Sequence, residues 1–153
     1  MVRDVDTTIS NKQALTIPTL ANLANTNGTS DITPRAHSPS GGWNLRGIIK
    51  NVDAADAMTD GNFIAEVLFS TDGGATFRTD GGHAIDIPSA SLAVGEAVPF
   101  NVPIGRGFFF EEGIDPADIR VRVRYRTNGH TATGAVDIEA TAYLDDGGPG
   151  AFN

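Results

Sequence analysis

The clearest periodic signal lies toward the C-terminal end of the chain. From Ile119 to Arg126 the sequence is IRVRVRYR. Successive side chains of a strand point to opposite faces. Ile119, Val121, Val123 and Tyr125 therefore share one face, and Arg120, Arg122, Arg124 and Arg126 the other. A second alternation, AVDIEATAYL, runs from Ala135 to Leu144. It sets Val136, Ile138, Ala140, Ala142 and Leu144 against Asp137, Glu139, Thr141 and Tyr143. The connector TNGHTATG has turn chemistry. The two segments are expected to pair as an antiparallel hairpin. In that register Arg124 faces Asp137, Arg122 faces Glu139 and Val123 faces Ile138, so charged and apolar faces both match.

Other segments carry strand signal. Val2–Ile9 and Ala14–Ile17 predict short strands, and WNLRGIIKNV predicts one over Trp43–Val52. Phe63–Ser70, FIAEVLFS, is apolar on both faces, as an interior strand would be. His83–Pro88 is a further candidate. Ala97–Ile104, AVPFNVPI, contains Pro99 and Pro103, which cannot donate to a ladder, so an edge strand or an irregular one is expected there. In DPAD, Asp115–Asp118, a proline follows a capping aspartate, which suits a single helical turn. Strands separated by Gly, Pro and Asp turns, with no long helical pattern, predict an all-β fold, a β-sandwich of jelly-roll type.

The stretch from Asn22 to Gly42, NLANTNGTSDITPRAHSPSGG, is dense in turn-forming residues. A structureless loop of that length is unusual in a compact domain. It is either an ordered meander packed on the domain or an extension toward a partner subunit. The expected organisation is an N-terminal arm over 1–42, a β-sandwich domain over 43–146 and a flexible tail over 147–153. The arm is expected to make contacts with a partner, either another subunit or the surface the protein binds.

Composition narrows the function classes. The chain has 153 residues with no cysteine, which excludes disulfides, thiolate metal sites and thiol nucleophiles. Its 11 basic and 19 acidic residues leave a net charge of -8. Nucleic acid and anionic membrane surfaces are therefore disfavoured as partners. No apolar run approaches a bilayer span, and the N-terminal segment lacks the hydrophobic core of a signal peptide.

Few residues suggest chemistry. Ser70, Asp72, Gly74, Thr76 and Phe77 have the spacing of the Asp-box turn of sialidases and related propellers, where the turn is structural. Asp53, Asp56 and Asp60 could approach a calcium ion but lack the spacing of a helix-loop-helix site, and a solvated polar loop is the simpler expectation. Asp145 and Asp146 are expected in an exposed end. His37, His83 and His130 are far apart in sequence. No nucleophile elbow or phosphate loop occurs. No catalytic residue, cofactor or metal is assigned, and the chain is not expected to be an enzyme. The candidate interface residues are the row Arg120, Arg122, Arg124 and Arg126 and the run Phe108, Phe109 and Phe110.

The order of segments resembles the capsid cement, or decoration, proteins of tailed bacteriophages, especially the short jelly-roll family first recognised in a podovirus of Bordetella. The residues that carry the resemblance are NKQALT followed by a Thr/Asn/Gly stretch, then EVLFSTDGGATF, GEAVPFNVPIG, IRVRVRY and GAVDIEATAYLDD. Together they span roughly residues 10 to 146. The long loop from Asn22 to Gly42 and the triple phenylalanine depart from that layout. The resemblance implies a virion protein made in the bacterial host cytoplasm and bound to the outer surface of an icosahedral head. Its partners would be the phage major capsid protein and further copies of itself, as a dimer or alternatively a trimer. The competing expectations are a carbohydrate-binding or host-attachment β-sandwich module, and another virion part such as a head–tail connector or tail protein.

Overall fold

The computed structural model describes residues 8–34, 42–105 and 114–145. Eight strands follow one another: β1 (Thr8–Ile17), β2 (Thr26–Asn27), β3 (Gly42–Asn51), β4 (Asn62–Ser70), β5 (Arg78–Pro88), β6 (Ala97–Gly105), β7 (Arg120–Asn128) and β8 (Val136–Asp145). They form two four-stranded sheets, ordered β1-β8-β3-β6 and β2-β7-β4-β5, and every pairing is antiparallel. This is the strand order of a jelly roll, and the chain is an all-β sandwich. Among the described residues no helix is long and apolar enough to cross a membrane.

The core lies between the sheets. Ile9, Leu15 and Ile17 of β1, Val136, Ile138 and Leu144 of β8, and Trp43, Leu45 and Ile49 of β3 line it from the first sheet. Phe63, Val67 and Phe69 of β4 and Val121, Val123 and Tyr125 of β7 fill it from the second sheet. Tyr125 and Ser10 join the sheets: the tyrosine hydroxyl donates to Ser10 Oγ at 3.0 Å in the interior. Burial pushes the Tyr125 hydroxyl up to about 12, against a smaller opposing effect of that hydrogen bond. Close packing also explains Gly47, where an added Cβ would stand 2.1 Å from the Thr141 carbonyl oxygen and 2.6 Å from the Phe100 ring.

Several expectations match. β4 is an interior strand buried on both faces. β6, with Pro99 and Pro103, is an edge strand. Pro116–Asp118 forms a 3-10 turn, with Asp115 Oδ1 accepting from the Ala117 N–H at 2.9 Å. The inward faces of β7 and β8 are those the alternation assigns.

Three expectations do not. The segments Ile119–Arg126 and Ala135–Leu144 do not pair: β7 lies between β2 and β4, and β8 lies in the other sheet between β1 and β3. Val123 faces Val67, and Arg124 faces Glu66, not Asp137. In a jelly roll most consecutive strands belong to opposite sheets, so matching alternations put two segments on the same core without making them neighbours. The division at residue 42 also fails as a boundary between arm and sandwich. β1 pairs with β8 along its length, β2 pairs with β7, and Ile32 bridges to Val121 through N–H···O bonds of 3.0 and 2.8 Å. Gly28 sits where a Cβ would fall 2.6 Å from Ile9 and 2.7 Å from Val123, which shows how tightly this turn-rich segment packs. Finally, Asp145 is no exposed end. It closes β8, is 2% exposed, and its Oδ2 lies 3.3 Å from Arg46 Nε. Asp146 and the tail 147–153 lie outside the described residues.

Val123 is fully buried and central to β7. Val123→Asp is expected to destabilise the fold by about 3 kcal/mol or more, because an unpaired carboxylate would enter the core. Urea unfolding followed by circular dichroism measures this. In NMR spectra of the native protein, cross-strand backbone contacts of β7 should fall on β4; backbone pairing of β7 with β8 would contradict the fold.

Candidate functional site

The outward face of the second sheet carries the arginine row. Glu66 is at its centre, on interior strand β4, with a side chain only 10% exposed. The register sets Arg124 opposite Glu66, Arg126 opposite Ile64 and Arg122 opposite Leu68. Arginine stems of that length cover apolar neighbours while their heads stay at the surface. Arg124 Nη2 donates to Glu66 Oε1 at 2.5 Å, and Arg126 Nε stands 3.4 Å from Glu66 Oε2. One carboxylate thus faces two guanidinium groups.

The rest of the row is tied to other segments. Arg122 donates through Nε and Nη2 to the two oxygens of Asp31, both at 2.8 Å, a bidentate fork. The hydrogen bond to Asp31 raises the Arg122 pKa, partly offset by desolvation. Its guanidinium carbon also lies 3.8 Å from the centre of the Phe77 ring. Arg120 Nη1 donates to the Ala117 and Ile119 carbonyls at 2.6 and 3.0 Å. The acidic partners expected from sequence, Asp137 and Glu139, are on the other sheet. Asp137 instead accepts from the Thr16 hydroxyl at 2.9 Å.

A cleft of about 530 Å³ opens beside this row, lined by Asn25, Glu66, Thr79, His83, Ala84, Arg124 and Arg126 among others. Its wall on β5 is the irregular stretch of that strand. The pairing passes from Glu66↔Ala84 to Leu68↔Thr79, so β5 is longer than β4 there. Such bulges re-aim side chains at sheet edges. Neither the cleft nor the bulge was visible in the sequence, although the paired glycines Gly81 and Gly82 mark where the strand departs from regularity.

The Ser70–Phe77 segment is the turn of the β4–β5 hairpin. Ser70 Oγ donates to Asp72 Oδ1 at 2.7 Å and accepts from the Gly74 N–H at 2.9 Å. Asp72 Oδ1 also accepts from the Thr76 N–H at 2.9 Å, and Oδ2 from the Thr76 hydroxyl at 2.5 Å. Gly73 and Gly74 take φ values of 74° and 92°, which favour glycine. The Asp72 carboxyl is held well below its ordinary range, first by the Ser70 hydrogen bond and then by those of Thr76.

The other candidates disperse. Asp53 accepts from the Ala55, Asp56 and Asp137 N–H groups, which lower its pKa in that order. Asp60 accepts from the Thr131 hydroxyl at 2.7 Å and N–H at 2.9 Å, which lower its pKa. Among the described residues no three acidic or histidine side chains gather as metal ligands. His83 packs edge-on against Phe69, with ring centres 5.5 Å apart. His130 is buried at the opposite end of the sheet from the Asp72 turn, its Nδ1 3.0 Å from Asp60 Oδ1. Trp43 and Tyr125 are core residues. His37, Phe108, Phe109 and Phe110 lie outside the described residues.

No family model matches the chain, and no curated protein matches it. Among solved structures, one described as "CBM4 structure and function" is similar over 86% of this chain and 81% of its own, at 14% identity and a TM-score of 0.45.

Because folding lowers the pKa of Asp72, its contribution to stability is present above the ordinary value of 3.8 and is lost as pH falls toward the folded value. Asp72→Ala is expected to lower Tm at pH 7. The gap between variant and parent should narrow below pH about 4, as the parent carboxylate protonates. Thermal melts from pH 7 to pH 2 check this; a gap that widens on acidification would contradict it.

Proposed function

We propose that the chain is a non-enzymatic virion protein that binds the outer surface of an icosahedral phage head and holds neighbouring copies of the major capsid protein together. The jelly-roll strand order is the observation that carries this reading. It places the quoted segments, from NKQALT in β1 to the final alternation in β8, in the fold that the resemblance to phage decoration proteins implies. The locked arginine row adds a second support. Side chains held by Glu66, Asp31 and Phe77 present a face that loses little conformational entropy on contact. Symmetry then multiplies a modest local energy over many sites of a shell. The chain would act on the particle as a dimer, with a trimer as the alternative.

A β-sandwich binding module for carbohydrate is the second reading. The polar cleft favours it, since Asn25, Glu66, Thr79 and the arginines could engage sugar hydroxyls. The burial of Trp43 and Tyr125 counts against it, because neither ring is offered as a stacking platform.

Purified phage heads lacking the protein distinguish the two. Co-sedimentation should show saturable binding at a fixed ratio to the major capsid protein, and decorated heads should release their genome at a higher temperature. Absence of head binding together with saturable binding to a soluble glycan would replace the first reading with the second.

A further inference from the structure

Among its described lining residues, the cleft beside Glu66 holds an unbalanced charge. Arg124 and Arg126 bring two positive charges to one carboxylate, in a chain whose net charge is -8. A guanidinium carries five N–H donors in a planar fork. Arg126 commits only its Nε, at 3.4 Å, to Glu66, and its side chain is 35% exposed. No other side-chain hydrogen bond of Arg126 forms among the described residues. The fork is thus positioned by one partner and open to a second. Thr79 and Asn25 line the same cleft and can donate from a hydroxyl and an amide.

We propose that this cleft receives an acidic side chain of a protein partner, whose carboxylate takes the open fork of Arg126 beside Glu66. The one positive charge in surplus among the described lining residues suits a monoanion. A polyanion would meet the repulsion of the whole acidic chain, and a cation would have to displace the arginines from Glu66. A planar carboxylate matches the planar fork, as Asp31 already does on Arg122. The proposal rests on the reading of the chain as a capsid-binding protein, and it names the chemistry that the capsid surface must offer.

The test uses the full chain and two substitutions with opposite expected signs. Arg126→Gln removes the open fork, while Glu66→Gln keeps both arginines and raises the local charge by one. NMR titration with N-acetylglutamate amide should shift the backbone amides of Thr79, Ala84 and Arg126 saturably, and N-acetylglutamine amide should not. Arg126→Gln should weaken this binding about tenfold, the loss of a charge-assisted hydrogen bond, and Glu66→Gln should strengthen it. Generalised damage to the fold would weaken both. The same variants should change head co-sedimentation in the same directions. Equal responses to the glutamate and glutamine probes, an unaltered Arg126→Gln variant, or a preference for glucuronate over the glutamate probe would overturn the proposal. If the parent protein fails to bind heads yet takes the glutamate probe, the capsid reading falls and the carboxylate cleft stands. If it binds heads and Arg126→Gln binds equally well, the capsid reading stands and the cleft proposal falls.

Discussion

Glu66 imposes the constraint on which the second sheet depends. Its carboxylate lies on an interior strand, between the buried side chains of Ile64 and Leu68. A charge so placed is costly unless ion pairs and hydrogen bonds compensate it. The arginines of β7 supply both, one to each oxygen. That requirement agrees with β7 lying against β4 in a single register, Arg124 beside Glu66. The opposite face of β7 then delivers Val121, Val123 and Tyr125 to the core, and Tyr125 reaches Ser10 on the other sheet. One strand therefore satisfies a polar demand outside and an apolar demand inside.

The faces of the strands were legible in the sequence, and their neighbours were not. Alternation decides which side chains enter the core, because the period of two is fixed by strand geometry. It says nothing of which strand lies alongside. Arg122 and Arg124 match Asp137 and Glu139 on paper as well as they match Asp31 and Glu66, and only the three-dimensional order separates the two sets. Local chemistry is legible where few residues define it: Asp115 accepts from the Ala117 N–H, Asp72 from the Thr76 N–H within the Ser70–Phe77 turn, and the prolines of β6 sit on an edge strand. Ala14–Ile17 carries strand signal for the end of β1, whereas the place of β2 and Ile32 beside β7 was hidden for a different reason. An edge segment needs only a few backbone bonds and an occasional apolar anchor such as Ile9 or Ile32, so Asn, Thr, Ser and Gly around them resemble a loop. The cleft was the least legible feature, since it arises where residues of β4, β5 and β7 meet beside a bulge.

The same arrangement links structure to function. Ion pairs that hold the arginine row in place remove much of the entropy cost of using it in a contact. Internal pairing and external binding are therefore compatible on this face. Glu66 and Asp31 offset two of the row's four charges, Arg120 is held by backbone carbonyls, and within the cleft the charge left over lies at Arg126.

The most direct measurement is a cryo-EM reconstruction of heads carrying the protein, at a resolution that shows side chains. The account predicts the outer face of β2-β7-β4-β5 against the major capsid protein, with a capsid Asp or Glu within hydrogen-bond distance of Arg126. A protein seated by the outer face of β1-β8-β3-β6, with Arg126 open to solvent, would contradict it.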